Sequence, residues 1–335
     1  MLTLDQPTRA EAQGTCQLGI GSTSSKTCLQ EVTFCDGIKW LVRLPLAGHV
    51  SPDYADEKLL WKSKPCHSSA RTLPFLFPEI KYWGLAAANP LGLGPYIILD
   101  FIEGVPLDSI LGDPRATHNF RLIRDDIGES VIESLYRQLA KILLQLFQFD
   151  FDRIGSLLVP KTRYRAPVRP LTFKVHDMLQ TGGVDTFGNR NLGFSTTSEY
   201  FRYVLEQYWE QFWSQPNSIG GEFNARTKYE SLSTLQTLLD SFIHPDFDRG
   251  PFKPICDDLS LASVIVRGED DLAIVGLVDF EWSYVGPAQL FGSAPWWLLG
   301  IRLNNVDTFS DDDQHEILTR FTKHLRLFRH VLSEE

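Results

Sequence analysis

Residues 251–266 read PFKPICDDLSLASVIV, and residues 273–287 read AIVGLVDFEWSYVGP. Each stretch puts an aspartate where the chain reverses beside a run of β-formers. Asp258 stands just ahead of residues 260–263 and the run Val264, Ile265, Val266, and Asp279 closes the run 274–278. The two runs predict one β-hairpin, so both side chains can open onto one cleft. Two carboxylates at the mouth of an apolar hairpin suit three jobs. They can hold Mg²⁺, which takes hard oxygen ligands. One can orient or deprotonate a hydroxyl nucleophile. Or they make turn and cap hydrogen bonds and nothing more.

Working outward, the C-terminal part reads as helical. Residues 126–149 carry Ile127, Val131, Leu135, Leu139, Ile142, Leu146 and Phe149 at three- and four-residue steps, the period of an amphipathic helix. A second helix is expected from Thr196, with Glu199 completing a capping box. Its run of Tyr, Phe and Trp from Tyr200 to Trp213 serves either helix–helix packing or a substrate pocket. Further helices are expected near 227–243 and 313–332, the last with Asp311, Asp312 and Asp313 at its N-terminus, where the helix dipole favours anions, a cap rather than a metal site. Residues 155–193, with many Gly, Pro and Arg, read as hairpin and loop. Trp296 and Trp297 read as core residues at the start of a helix.

The N-terminal part reads as β-rich. Residues 1–25 read as a flexible arm ending in the Gly/Ser stretch 19–25, either a surface loop or one covering phosphates. A hairpin follows: Val32 and Phe34 alternate with polar residues, Asp36-Gly37 is a favoured turn pair, and Ile38, Trp40, Val42 and Leu44 alternate again. Lys39, Leu41 and Arg43 then share the other face of the second strand, which makes Arg43 either a site cation or an ordinary sheet-surface arginine. Residues 53–72 begin as a helix broken at Pro65. A strand is expected near 79–83, and GPYIILDFIEGVPL (94–107) reads as a buried strand running into a polar elbow at 100–104, a hinge. The expected organisation is an arm over 1–25, a β-rich lobe with its hinge over 26–104, and a helical lobe carrying the aspartate hairpin over 105–335.

Composition narrows the function classes. The 335 residues, 43% hydrophobic, suffice for a sizeable core in two lobes. A net charge of −10 leaves no electrostatic footprint for nucleic acid or an anionic membrane. A polyanionic nucleotide would need a local cation or metal. The five cysteines (Cys16, Cys28, Cys35, Cys66 and Cys256) lack CxxC spacing, which argues against a disulfide framework or zinc site and for a reducing compartment. The polar N-terminus is no signal peptide, and no apolar run has membrane length. A cytoplasmic globular protein is the expectation; the oligomeric state is not legible.

In detail the chain resembles the aminoglycoside phosphotransferase family, in the form common among fungal proteins. The resembling segments are VTFCDGIKWLVRLPL (32–46), GPYIILDFIEGVPL (94–107), QLAKILLQLFQFDFDRIGSL (138–157), RPLTF (169–173), GPFKPICDDLSLASVIV (250–266) and VGLVDFEWSYVGPAQLFGSAPWWLL (275–299). The resemblance implies an α+β, two-lobed protein-kinase-like fold, ATP and Mg²⁺ as cofactors, and a place in fungal secondary metabolism. Residue by residue, it implies that Arg43 pairs the α/β-phosphates, Asp258 accepts or orients the acceptor hydroxyl, and Asp279 grips Mg²⁺. The elbow, including Asp100 and Ile102, would contact adenine through backbone groups. The family's asparagine metal ligand falls at Ser263, whose hydroxyl has shorter reach, and its leading histidine at Cys256. The helix glutamate expected opposite Arg43 aligns with Lys62, unless Glu57 serves. Three readings follow: a small-molecule O-phosphotransferase, an enzyme of this fold repurposed for a non-phosphoryl reaction, and a non-catalytic scaffold.

Overall fold

The computed structural model describes residues 17–18, 22–24, 27–45, 54–56, 77–113, 123–156, 169, 172–279, 282–298 and 310–335. The chain divides into two compact units, Met1–Leu59 with Pro78–Phe101, and Leu60–Phe77 with Ile102–Glu335. The first is a β-sheet unit and the second mainly helical, which makes the chain α+β, as expected.

In the first unit the strands are β1 (Gln17–Leu18), β2 (Ser22–Ser24), β3 (Thr27–Thr33), β4 (Lys39–Pro45), β5 (Ile80–Gly84) and β6 (Tyr96–Asp100). They form one antiparallel sheet in the order β1-β3-β4-β6-β5, with β2 also on β3. The predicted hairpin is β3–β4, with Val32 opposite Trp40. Its turn works because Gly37 takes a φ of 82° and the Asp36 carboxylate accepts from the Ile38 N–H at 3.1 Å. The stretch read as the end of a loose arm is instead paired: β1 and β2 both hydrogen-bond to β3. Thr and Ser are poor hydrophobic markers, so strand pairing leaves little trace in that stretch. Ile97 and Leu99 of β6 are buried against Ile80, Trp83 and Leu85.

The second unit contains β7 (Val105–Pro106), α1 (Leu107–Leu111), α2 (Glu129–Phe147), α3 (Phe173–Gly182), α4 (Thr197–Ser214), α5 (Glu222–Phe242), β8 (Lys253–Cys256), β9 (Val264–Val266), β10 (Ile274–Leu277), β11 (Ser283–Gly286), α6 (Ala288–Phe291) and α7 (Asp311–Glu334). Helix α2 buries Leu135, Leu139, Ile142 and Leu146 of the predicted stripe together with Ile132 and Tyr136, packed with α7 residues Phe328 and Val331, whereas Val131 of the stripe is exposed. Leu135 is fully buried, so Leu135→Ala is expected to cost about 2–5 kcal/mol. The C-terminus of α2 is capped by Lys253, whose buried ammonium donates to the Phe147 carbonyl at 2.6 Å and pairs with Asp150. Helix α4 begins as expected, the Thr196 hydroxyl accepting from the Glu199 N–H at 3.0 Å. The Glu199 carboxylate reaches back one residue further, to the Ser195 N–H at 2.8 Å.

One stretch read as hairpin and loop holds a helix. In α3 the Thr172 hydroxyl caps the Val175 N–H, Val175 and Met178 are buried, and Gly183 ends the helix at a φ of 67°. The Gly182-Gly183 pair that looked like a loop marker is a helix stop. No helix among the described residues is long and apolar enough to cross a membrane.

Candidate functional site

The two aspartates belong to the second unit, and their placement follows from the strands around them. β8 delivers the chain to Cys256, where the Leu259 N–H donates to the Cys256 carbonyl at 3.2 Å. That bond closes a turn with Asp257 and Asp258 at its centre, a position aspartates favour. A short 3₁₀ turn, Leu261–Ser263, leads into β9, which pairs antiparallel with β10, Val264 opposite Leu277. Beyond the last paired residues, the Val278 N–H donates to the Ser263 carbonyl at 2.9 Å and extends the ladder one step. The predicted hairpin is therefore real, and it brings Asp279 to the end that holds Ser263.

Asp279 has a φ of 69°, the only positive φ outside glycine among the described residues. An L-residue there is strained, although aspartate tolerates it better than most. Such strain persists only where the surroundings hold it, and it gathers at functional positions. Asp258 and Asp279 are both half-buried. Ser263 is only 4% exposed, and its Oγ lies 3.3 Å from the Ser260 Oγ.

Ile102 joins this unit through β10. A Cβ on Gly276 would meet the Ile102 Cδ1 at 2.5 Å, so the elbow side chain packs directly on the strand that delivers Asp279. Arg43 and Asp100 lie on the first unit. Arg43 sits on β4 between Leu29 of β3 and Ile97 of β6. The Asp100 carboxylate is held by Lys81 at 2.9 Å, and Lys81 also binds Glu79 at 2.8 Å. The hydrogen bond to Glu79 is the main reason the Lys81 ammonium titrates above its ordinary value. Its backbone N–H is taken as well, donating to the Glu79 carbonyl at 2.9 Å. Lys62 and Glu57, the alternatives for the partner of Arg43, lie outside the described residues.

The sequence reading passed over Asp257 and Tyr284, which meet the aromatic run that begins at Tyr200. The Tyr200 and Tyr284 hydroxyls meet at 2.8 Å in a buried pair. Burial raises both phenols, and the nearby Asp257 carboxylate pushes Tyr200, Tyr208 and Tyr284 the same way. Burial also pushes the Cys256 thiol up to about 11, so it stays protonated near neutral pH and is no nucleophile. The signal for this cluster was the alternation in residues 283–286, which pairs Tyr284 with Ile255 of β8.

The residues fit magnesium as a nucleotide-borne ion. Among the described residues no group of three His, Cys, Asp or Glu could cage a metal. Mg²⁺ takes one or two carboxylates plus phosphates and keeps several waters. Asp279 would hold it on those terms, while the Ser263 hydroxyl at the same end of the hairpin is buried against Ser260.

No protein-family model matches the sequence, and no curated protein matches it. Solved structures do. The chain is similar to the macrolide 2′-phosphotransferase MphH from Brachybacterium faecium, with 12% identity over 95% of this chain and 80% of that one, at a TM-score of 0.43. It is similar to an amicoumacin kinase in complex with AMP-PNP, Ca²⁺ and Ami, with 12% identity over 94% and 79% and a TM-score of 0.40. It is also similar to a putative fructosamine-3-kinase from Thermobifida fusca, with 15% identity over 95% of each chain and a TM-score of 0.38.

Proposed function

We propose that this protein is a phosphotransferase that moves the γ-phosphoryl group of ATP to a hydroxyl or amine of a small molecule. The observation that carries the reading is the left-handed backbone at Asp279, braced by the Val278–Ser263 hydrogen bond. Left-handed backbone outside glycine is strained, and such strain gathers at functional positions. Asp279 would hold the Mg²⁺ that neutralises charge across the phosphates. Asp258 orients the acceptor group and takes its proton as the new P–O or P–N bond forms and the bond from the γ-phosphorus to the β,γ-bridging oxygen breaks, ADP leaving. Arg43 on the first unit pairs the α/β-phosphates, and backbone groups at 100–104 receive the base.

A second reading, a repurposed enzyme that keeps Asp258 and does without phosphoryl transfer, draws on one observation. The Ser263 hydroxyl is buried and turned toward Ser260, which leaves it poorly placed to serve as a second ligand.

Thermal unfolding with ATP, with and without Mg²⁺, separates the two. A ligand bound only by the folded state stabilises by roughly 2.7 kcal/mol at a hundredfold excess over Kd. The phosphotransferase reading expects a Mg²⁺-dependent shift that disappears in Asp279→Asn. ADP release on addition of an accepted substrate should disappear in Asp258→Asn. No shift at millimolar ATP would move the assignment to the repurposed enzyme.

A further inference from the structure

A cavity of about 900 Å³ runs along α7 where that helix passes the segment leading into α2. None of its lining residues belongs to the candidate site. Its volume lies within the usual range for small-molecule sites. Ile127, Ile132, Leu318 and Leu327 supply an apolar wall. Lys323, Arg326 and His315 line it as well, and no carboxylate among the described residues forms an ion pair with them. The acids in the lining are Asp125, which Arg320 holds at 3.1 Å, and Glu129. In a chain of net charge −10, a cavity whose lining holds more cations than acids offers an anion local attraction.

A second observation points the same way. His324 is a lining residue, only 4% exposed, and its Nε2 has no hydrogen-bond partner. Its Nδ1 lies 2.9 Å from the buried Tyr136 hydroxyl. A phenol is the natural donor to a neutral imidazole, so the proton sits on Nε2. That leaves a buried donor needing an acceptor.

We propose that this cavity binds a small amphipathic anion, its acidic head on Lys323 and Arg326 and its apolar body against Ile127, Ile132, Leu318 and Leu327. His324 Nε2–H, closed to water in this structure, becomes a donor to the bound molecule as the cavity wall moves around it. The inference is independent of the phosphotransferase reading.

The test is calorimetric titration of the full chain with octanoate and, separately, with octyltrimethylammonium, which has the same tail and the opposite charge. Octanoate is expected to bind one per chain and the cation not at all. The charge-reversed variant Lys323→Glu/Arg326→Glu changes two exposed side chains and leaves the core intact. It is expected to weaken octanoate at least about tenfold, the equivalent of 1.4 kcal/mol. His324→Phe, which deletes the donor, should weaken it too; if that variant does not fold, the surface pair decides. Asp279→Asn should leave octanoate affinity unchanged. Equal binding of both amphiphiles, affinity indifferent to the charge reversal, no octanoate binding, or loss of binding in Asp279→Asn would each overturn the proposal.

Discussion

Replacing Asp279 in turn by Asn, Ala, Val and Gly tests whether its backbone holds the left-handed conformation and whether its carboxylate serves a ligand. At φ 69° an ordinary L-residue costs about 1–2 kcal/mol, and Asp or Asn less, because a short polar side chain can bond locally. Asn should therefore leave stability within about 0.5 kcal/mol of the parent. Ala keeps the strain and loses the local bonding, for a loss of about 1 kcal/mol. Val, stiff at χ1, should lose more. Gly relieves the strain but gives back about 0.5–1 kcal/mol through the freer unfolded chain, and should come out near neutral. Thermal unfolding followed by circular dichroism resolves this order, since 1 kcal/mol shifts Tm by about 2–4 °C in a unit of this size. Every variant should lose the Mg²⁺-dependent ATP shift, Asn without losing stability. If Ala or Val matched Asn, the left-handed assignment would be wrong. If Asn kept the full nucleotide shift, the carboxylate would have no metal role.

Other expectations follow from particular contacts. Gly104 has a φ of 151°, and a Cβ there would meet the Val266 carbonyl oxygen at 2.4 Å, so Gly104→Ala should cost at least about 1–3 kcal/mol, measured by urea unfolding. Tyr200→Phe and Tyr284→Phe should each cost about 1–3 kcal/mol by leaving the partner hydroxyl buried and unbonded, and the double variant less than the sum, as a double-mutant cycle would read out. Burial holds His324 down at about 4 against an ordinary 6.5, so the unfolded chain binds its proton first. Its contribution is whole above pH 6.5 and is lost as pH falls from there toward 4, by about 3 kcal/mol at most. A pH series of unfolding midpoints should flatten across that window in His324→Gln, and an unchanged slope would refute the buried neutral imidazole.

How much was legible in the sequence depended on how local the signal was. The β3–β4 hairpin announced itself through alternation and the Asp36-Gly37 turn, and α2 through its unbroken helical stripe. The aspartate hairpin was legible because each carboxylate abuts a run of β-formers. The left-handed backbone at Asp279 was not, since it depends on the bond between Val278 and Ser263, residues distant in sequence. Helix α3 was hidden because its paired glycines read equally well as a loop or as a helix stop. Asp257 went unnoticed because its phenol neighbours come from α4 and β11, which only the fold brings to the turn after β8. His324 likewise gains its meaning from Tyr136, 188 residues away.

The pairing of β7 with β9 has a mechanical consequence. Val105 and Pro106 are stitched to Val266 and Ile265, and Ile102 just ahead of them lies on Gly276 of β10. Any tension travelling along the chain from Phe101 therefore reaches the three-stranded patch before it reaches α1. The patch is short: two residue pairs on one side of β9, with the Asp279 hairpin on the other. Under load in an optical trap, β7 should peel first, as a small early extension, and take with it the packing against β10 that steadies the aspartate.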